Sequence, residues 1–317
     1  MKPKFGVFLD PIYLPSTYSS FREEVLEAER LGYEAVWVSD HLASGSRPVL
    51  ECFTMLSALA SLTHRIRLGS LVACSSYRLP SILAKMASTL DVISDGRLEF
   101  GIGAGWNEEE YRAYGIPFPK PKVRIAQLEE SVKIAKKMWT EETATFKGEY
   151  FSIEGAYCEP KPVQKPHPPI TIGGSGEKLT LKVVAKYADR SNWGSSPAEF
   201  ARKMKVLETH CSKVRRDFAE IEKSWFGRVM ISEDPRKLRD DLKKLYMSGR
   251  VYLRSPLPFD AWYKNLKAES LVGTLTECME KVKSYMDLGV TYFTVTFLDS
   301  PSTDNMRTFA GEIKKRL

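Results

Sequence analysis

The stretch "AVWVSDHL", Ala35–Leu42, changes character halfway along. Ala35, Val36, Trp37 and Val38 form an unbroken apolar run. A strand buried on both faces reads this way, and such strands belong to parallel sheets covered by helices. Ser39, Asp40 and His41 then supply three polar groups with protons to give or take. Either a strand simply leaves the core here, or a barrel carries a catalytic group on its rim, where barrel enzymes place their chemistry. The surrounding chain decides between these.

Working outward, the same alternation recurs. Before the stretch, "KFGVFL" (Lys4–Leu9) reads as a strand. It is followed by a helix from about Ser20, whose Ser-x-x-Glu spacing to Glu23 predicts a capping box. Phe21, Val25, Ala28 and Leu31 give that helix one apolar face, and Gly32 stands where a C-cap belongs. After it come a helix near 52–63, the strand "IRLGSLVA" (66–73), a helix over 80–92 and the strand "RLEFGIGAG" (97–105). Ile125, Leu128, Val132, Ala135 and Trp139 then mark the clearest helix. "PPITIGG" with a helix over 177–187, "DRSNWG" with one over 197–216, and "SWFGRVMI" with one near 234–247 continue the rhythm. A helix over 275–288 ends at Gly289, and "TYFTVTF" is the eighth strand before a last helix.

Eight strands alternating with helices predict an α/β fold, a parallel (β/α)8 TIM barrel occupying residues 1–317 as one domain; a doubly wound sheet is the alternative. Two insertions interrupt it. Residues 143–167 hold two short strand-like pieces and many prolines. Residues 248–272 are irregular and aromatic, with Tyr252, Phe259, Trp262 and Tyr263. Connections this long often serve as lids or binding elements.

The composition is that of an ordinary globular protein, 43% hydrophobic and 27% charged. Cysteines 52, 74, 158, 211 and 278 and histidines 41, 64, 167 and 210 are scattered, so neither a disulfide framework nor a metal site is expected. The net charge of +7 is spread over helices that also carry acids, as in "EESVKIAKKMW", which argues against nucleic acid. No run approaches the ~18 apolar residues of a membrane span. The start, "MKPKFGVFLDP", lacks the apolar core of a signal peptide, so a cytoplasmic protein is expected.

The strand ends gather Asp10, Asp40, His41, Leu71 to Cys74, Gly103 to Trp106, Gly173 to Ser175, and Asn192 with Trp193. In "IGGSGEK", Gly173, Gly174, Ser175 and Gly176 precede a helix and Lys178 adds a cation, a pattern suited to phosphate. Tryptophans beside such a turn suit a flat ring, so a phosphorylated aromatic cofactor is indicated. Taken singly, each feature has a plainer reading: glycines that only let the chain turn, a hydrogen-bonding histidine, tryptophans of the core. "GIGAG" is not the dinucleotide fingerprint.

Four motifs in order, "AVWVSDH" (35–41), "RLEFGIGAGWNEEEYRAYGIPF" (97–118), "YCEPKPVQKPHPPITIGGSGEK" (157–178) and "ADRSNW" (188–193), resemble the bacterial luciferase-like superfamily, and within it the coenzyme F420-dependent oxidoreductases. The resemblance implies a homodimeric barrel that binds a deazaflavin at the strand C-termini. It places Asp40 against the ring and His41 beside the substrate. Leu71–Val72 falls at a third-strand bulge that often carries a non-prolyl cis peptide. Gly103, Ala104 and Gly105 would cradle the ring edge, and Gly173 to Gly176 the phosphate.

Sugar-phosphate dehydrogenases of this branch carry a glutamate where Trp106 stands here, which suggests a more apolar substrate pocket with Trp37, Trp106, Trp193 and the 248–272 aromatics. Glu108 to Glu110 follow Trp106, but a helix start explains acids there equally well. The expected function is hydride transfer between F420 and a small organic substrate, such as a secondary alcohol, a pterin or an unsaturated compound, with His41 as acid or base. Alternatives are an FMN-dependent luciferase-like monooxygenase and a non-catalytic flavin-binding barrel.

Overall fold

In the computed structural model, residues 2–10, 18–248 and 256–317 are described. Tyr252, one of the aromatics of the second insertion, lies outside them. The chain runs β1 (Lys4–Phe8), α1 (Tyr18–Arg30), β2 (Ala35–Val38), α2 (Cys52–Leu62), β3 (Arg67–Ser70), β4 (Ala73–Cys74), α3 (Pro80–Ile93), β5 (Leu98–Gly103), α4 (Glu108–Ala113) and α5 (Pro121–Thr140). It continues with β6 (Thr143–Lys147), β7 (Ser152–Tyr157), β8 (Ile170–Gly173), α6 (Thr180–Tyr187), β9 (Arg190–Trp193), α7 (Pro197–Lys213), β10 (Glu222–Ile231) and α8 (Pro235–Met247). Last come α9 (Phe259–Glu269), β11 (Leu271–Gly273), α10 (Leu275–Asp287), β12 (Tyr292–Phe297) and α11 (Asp304–Thr308), followed by a π-helical turn.

Strands β1, β2, β3, β5, β8, β9, β10 and β12 pair in parallel and close through β10–β9 and β12–β1 into an eight-stranded barrel. The TIM barrel expected from the alternation is therefore the fold, and the doubly wound sheet is excluded by closure. Parallel strands need helical crossovers, which is why the helices wrap the outside.

The strand period of two divides β2 cleanly. Val36 and Val38 join the large core between sheet and helices, whereas Ala35 and Trp37 belong to a separate cluster with Phe8 and Tyr292 inside the barrel. Trp37 is 0% exposed and its Nε1 donates to Tyr292 Oη at 3.1 Å. Glycines on the two flanking strands make room for the indole. A Cβ at Gly6 would lie 2.7 Å from Trp37 Nε1, and one at Gly69 2.5 Å from its ring carbon Cε3. Trp37 thus plugs the barrel and is no part of a substrate pocket, contrary to the sequence expectation. A strand this short has only two inward positions, and the lower is filled by alanine. At the N-terminal end, Arg190 binds Glu99 and Glu222, each at 2.7 Å, and its guanidinium sits 4.1 Å from the Tyr292 ring centroid. Burial is tolerable because the charge is paired on two sides.

Several local expectations are corrected. Helix α1 is already running at Tyr18, so Ser20 lies inside its first turn and is not an N-cap. Gly32, at φ +70°, does close it: Tyr33 N–H donates to Ala28 O and Gly32 N–H to Glu29 O. The cis Leu71–Val72 bond implied by the resemblance is present, and the strand read over 66–73 breaks there and resumes as the two-residue β4. α6 begins at Thr180, after a turn, rather than at Glu177. Residues 143–167 contain an antiparallel hairpin, β6–β7. Residues 248–272, read as irregular, contain α9 and β11. Trp262 packs there with Leu238, Leu242 and Leu266, beside Phe259, Tyr263 and Tyr246. These aromatics bury each other, and none of them lines the cavity described next.

Candidate active site

A cavity of about 600 Å³ opens at the C-terminal ends of the strands, a volume typical of a cofactor-and-substrate site. Its wall has two unlike arcs. From β3, β5, β8 and β9 come Leu71, Val72, Gly103, Ala104 and Gly105, then Gly173, Gly174, Ser175 and Gly176, and finally Asn192, Trp193 and Gly194. From β10, β12, β1 and β2 come Phe226, Arg228, Thr296, Phe8, Asp10, Ser39 and His41. Trp106 stands at the mouth, 67% exposed, its ring edge-on to His41 with centroids 5.8 Å apart.

The glycine arc is shaped by the bulge. Val72 lies between Gly103 and Gly173, so that a Cβ at Gly103 would be 2.5 Å from its Cγ2 and one at Gly173 2.7 Å from its Cγ1. Gly174 has φ +116°, a conformation that favours glycine. The result is a glycine-rich slot with the Val72 side chain set between its two turns. The cation at this loop is not Lys178, which is exposed and outside the lining. It is Lys203 of α7, whose Nζ donates to Ser175 Oγ at 2.8 Å. The loop turns before its helix starts, so the following lysine falls outside, and a residue distant in sequence takes its place. Arg124 of α5 is a second cation. It is 8% exposed, lines the cavity and stacks 4.0 Å from the Phe118 ring centroid. Its NH1 donates to Pro119 O at 2.5 Å, while its buried Nε has no partner.

Asp40 does not line this cavity. Its carboxylate accepts from both ends of Arg78, at 2.7 and 2.9 Å, and from the Cys74 N–H at 2.9 Å. It thereby ties the end of β2 to the bulge, and it lines the adjoining recess with His41, Leu71, Val72 and Trp106. The Cys74 thiol is pushed up to about 11, first by burial, so it is a poor nucleophile.

His41 is held from the other side. Its Nδ1 lies 2.9 and 3.0 Å from the two carboxylate oxygens of Glu110 in α4. Glu110 is 2% exposed and also accepts from Tyr77 Oη at 2.6 Å and from Ala43 N–H at 3.3 Å. Burial alone would lower the imidazole's pKa, but the Glu110 bond and charge, with Asp10 and Asp40 nearby, raise it above 6.5. Burial pushes Glu110 up, and the bonds from His41 and Tyr77 with the imidazole's charge outweigh it and hold the carboxyl low. On the same arc, Ser39 Oγ donates to Asp10 Oδ1 at 2.8 Å. Sequence reasoning missed Tyr77, Arg124 and Lys203, and it read Glu110 together with Glu108 and Glu109 as acids of a helix start. Only the structure separates Glu110, which is buried, from the other two, which are exposed.

Residues 5–292 match the family described as luciferase-like monooxygenase. A protein of Kineococcus radiotolerans named F420-dependent glucose-6-phosphate dehydrogenase is 34% identical over 306 residues, covering 89% of this chain and 87% of that one. An uncharacterized protein of Mycobacterium tuberculosis is also 34% identical, but over 170 residues, so this alignment spans 53% of the chain and only 58% of that relative. Among solved structures, an F420-dependent secondary alcohol dehydrogenase in complex with an F420-acetone adduct superposes with a TM-score of 0.82 over 99% of this chain and 98% of that one, at 20% identity. A monooxygenase from Streptomyces bottropensis superposes with a TM-score of 0.83 over 99% of each chain, at 21% identity. At such identities these superpositions establish the fold. The chain belongs to the luciferase-like monooxygenase family.

Proposed function

We propose that this member of the luciferase-like family is an oxidoreductase that moves a hydride between coenzyme F420 and a small organic substrate. The observation that carries the reading is the placement of His41, with its carboxylate partner, in the same cavity as the glycine-walled slot. A relative named as F420-dependent, aligned over nearly the whole chain, supports F420 over FMN. Lys203 and Arg124 suit a cofactor whose tail is polyanionic. When bound, F420 accepts or supplies the hydride.

The chain's own residues do the rest. The backbone of Gly103 to Gly105 and Gly173 to Gly176 would hold the ring edge and the phosphate end, with the Val72 side chain lining the slot between them. Phe8, Phe226 and Trp106 give the substrate an apolar enclosure that excludes water, while Arg228 and Asp10 set its polar orientation. For a secondary alcohol, the O–H bond breaks toward His41 as the C–H electron pair leaves as hydride, and a carbonyl results. In reverse, the imidazolium returns the proton to the carbonyl oxygen, or to carbon in an unsaturated compound. With Trp106 in place of the acid that sugar-phosphate dehydrogenases carry, the proton chemistry falls to His41.

Titration of intrinsic tryptophan fluorescence with F420 and, separately, FMN tests the reading. Saturable quenching by F420 with much weaker FMN binding is the expected result, followed by oxidation of reduced F420 in a screen of ketones and enones. Tight FMN binding with weak F420 binding would replace it with an oxygen-using monooxygenase, and binding of neither with a barrel of other function. The same reading takes residues 1–317 as one barrel domain paired as a homodimer, for which light scattering should give twice the 35.9 kDa chain mass.

A further inference from the structure

We propose that Glu110 is the positioning residue of this site: its carboxylate holds a proton on His41 Nδ1, so that proton exchange with substrate runs through Nε2. This rests on the acid–base role proposed for His41.

The geometry is specific. An ionised carboxylate only accepts hydrogen bonds, and a neutral imidazole has one N–H to give. With Nδ1 within 3.0 Å of both Glu110 oxygens, the tautomer bearing the proton on Nδ1 is selected. The Tyr77 hydroxyl and the Ala43 N–H converge on the same carboxylate, which fixes its plane and keeps it ionised. Helix α4 is stapled to the strand end as a unit, since Tyr114 Oη donates to Leu42 O at 2.9 Å. The neighbouring acids take no part: Glu108 is exposed and pairs with Arg112, and Glu109 is exposed. The other charged groups facing His41 are Asp10 from the end of β1 and Asp40 from the end of β2, and Arg78 neutralises Asp40. Trp106 presents only its ring.

The decisive measurement is imidazole ¹⁵N NMR on the cofactor-free protein, in which four histidines are resolved and His41 is assigned through His41→Gln. Wild type should show the Nδ1–H tautomer and a titration midpoint above that of a free imidazole. In Glu110→Gln the midpoint should fall by about one unit or more and the tautomers should mix. Turnover of reduced F420 should fall 10- to 100-fold, its pH profile should move to lower pH, and KM and F420 affinity should stay within two-fold. Glu110→Asp should recover part of the loss. Tyr77→Phe removes a donor from the carboxylate, leaves it more basic and should move the His41 midpoint the opposite way, upward; this variant carries the test if Glu110→Gln does not fold. An unchanged midpoint and tautomer in Glu110→Gln, or in Tyr77→Phe, overturns the proposal. Because the NMR readout needs no cofactor, it stands or falls separately from the F420 assignment, which the fluorescence titration decides.

Discussion

The two arcs of the cavity wall use opposite devices. On β3, β5, β8 and β9 the wall is rich in glycine backbone, with the side chains of Val72, Asn192 and Trp193 set among it. On β10, β12, β1 and β2 it is made of side chains: two phenylalanines, an arginine, an aspartate and the histidine. A backbone wall can meet a flat ring closely and offers N–H groups to a phosphate, but it can neither discriminate among substrates nor shuttle protons. A side-chain wall does both, at the cost of smoothness. On the proposed reading, the backbone-rich half would bind a shared cofactor and the side-chain half would be free to suit one chemistry.

The largest effect expected from breaking this contrast is on the side-chain arc. His41→Ala should cut turnover by ~10²–10⁴-fold while leaving cofactor binding intact, which stopped-flow and fluorescence titration together resolve. Equal loss of binding and turnover would make His41 part of the ring site instead. Beneath both arcs, Trp37→Ala should destabilise the fold by about 3–5 kcal/mol in urea unfolding, because the plug that its glycine neighbours were cleared for is gone. A smaller loss would mean that the barrel interior collapses around the gap.

On the glycine arc, Gly173→Ala should weaken F420 binding ~10-fold or more, since its Cβ must displace Val72, with little change in kcat for the bound fraction. Lys203→Met should weaken F420 binding by less, because the cation is already paired with Glu199 at 2.9 Å, and titration at two ionic strengths checks it. Trp106→Ala should change stability by no more than about 0.5 kcal/mol and shift substrate KM a few-fold, as befits an exposed ring at the mouth.

The histidine pair also sets a pH window. His41 is raised in the folded state, so its stabilising contribution is complete below its unfolded value of 6.5 and is lost as pH rises through the folded one. Glu110 is lowered, so its contribution is present above 4.5 and is lost as pH falls through its folded value. Thermal melts across pH should therefore show a plateau between these limits. In His41→Ala the loss at the upper limit should disappear and the lower limit should move up, because Glu110 loses the imidazole that holds it low.

The sequence determined the barrel. The alternation of short apolar runs with amphipathic periodicity is local, and only a closed parallel sheet buries eight such runs under their own helices. It also located the rim residues His41, Gly103 to Gly105 and Gly173 to Gly176, because strand ends and glycine turns are local features. What it could not decide is where side chains meet. Trp37 lies two residues before Ser39 and reads as a pocket residue, yet the inward register and two glycines on neighbouring strands sink it into the interior. The resemblance implies Asp40 as a ring contact, but the partners that fix its carboxylate, Arg78 and the Cys74 N–H, are distant in sequence. Lys178 reads as the loop's cation, yet Lys203 fills that place. Glu110 reads as a helix-start acid 69 positions from His41, and only the strand order β2–β3–β5, with α4 following β5, brings it over the end of β2. Pair contacts of this kind depend on register and on the three-dimensional path of the chain, which periodicity alone does not encode.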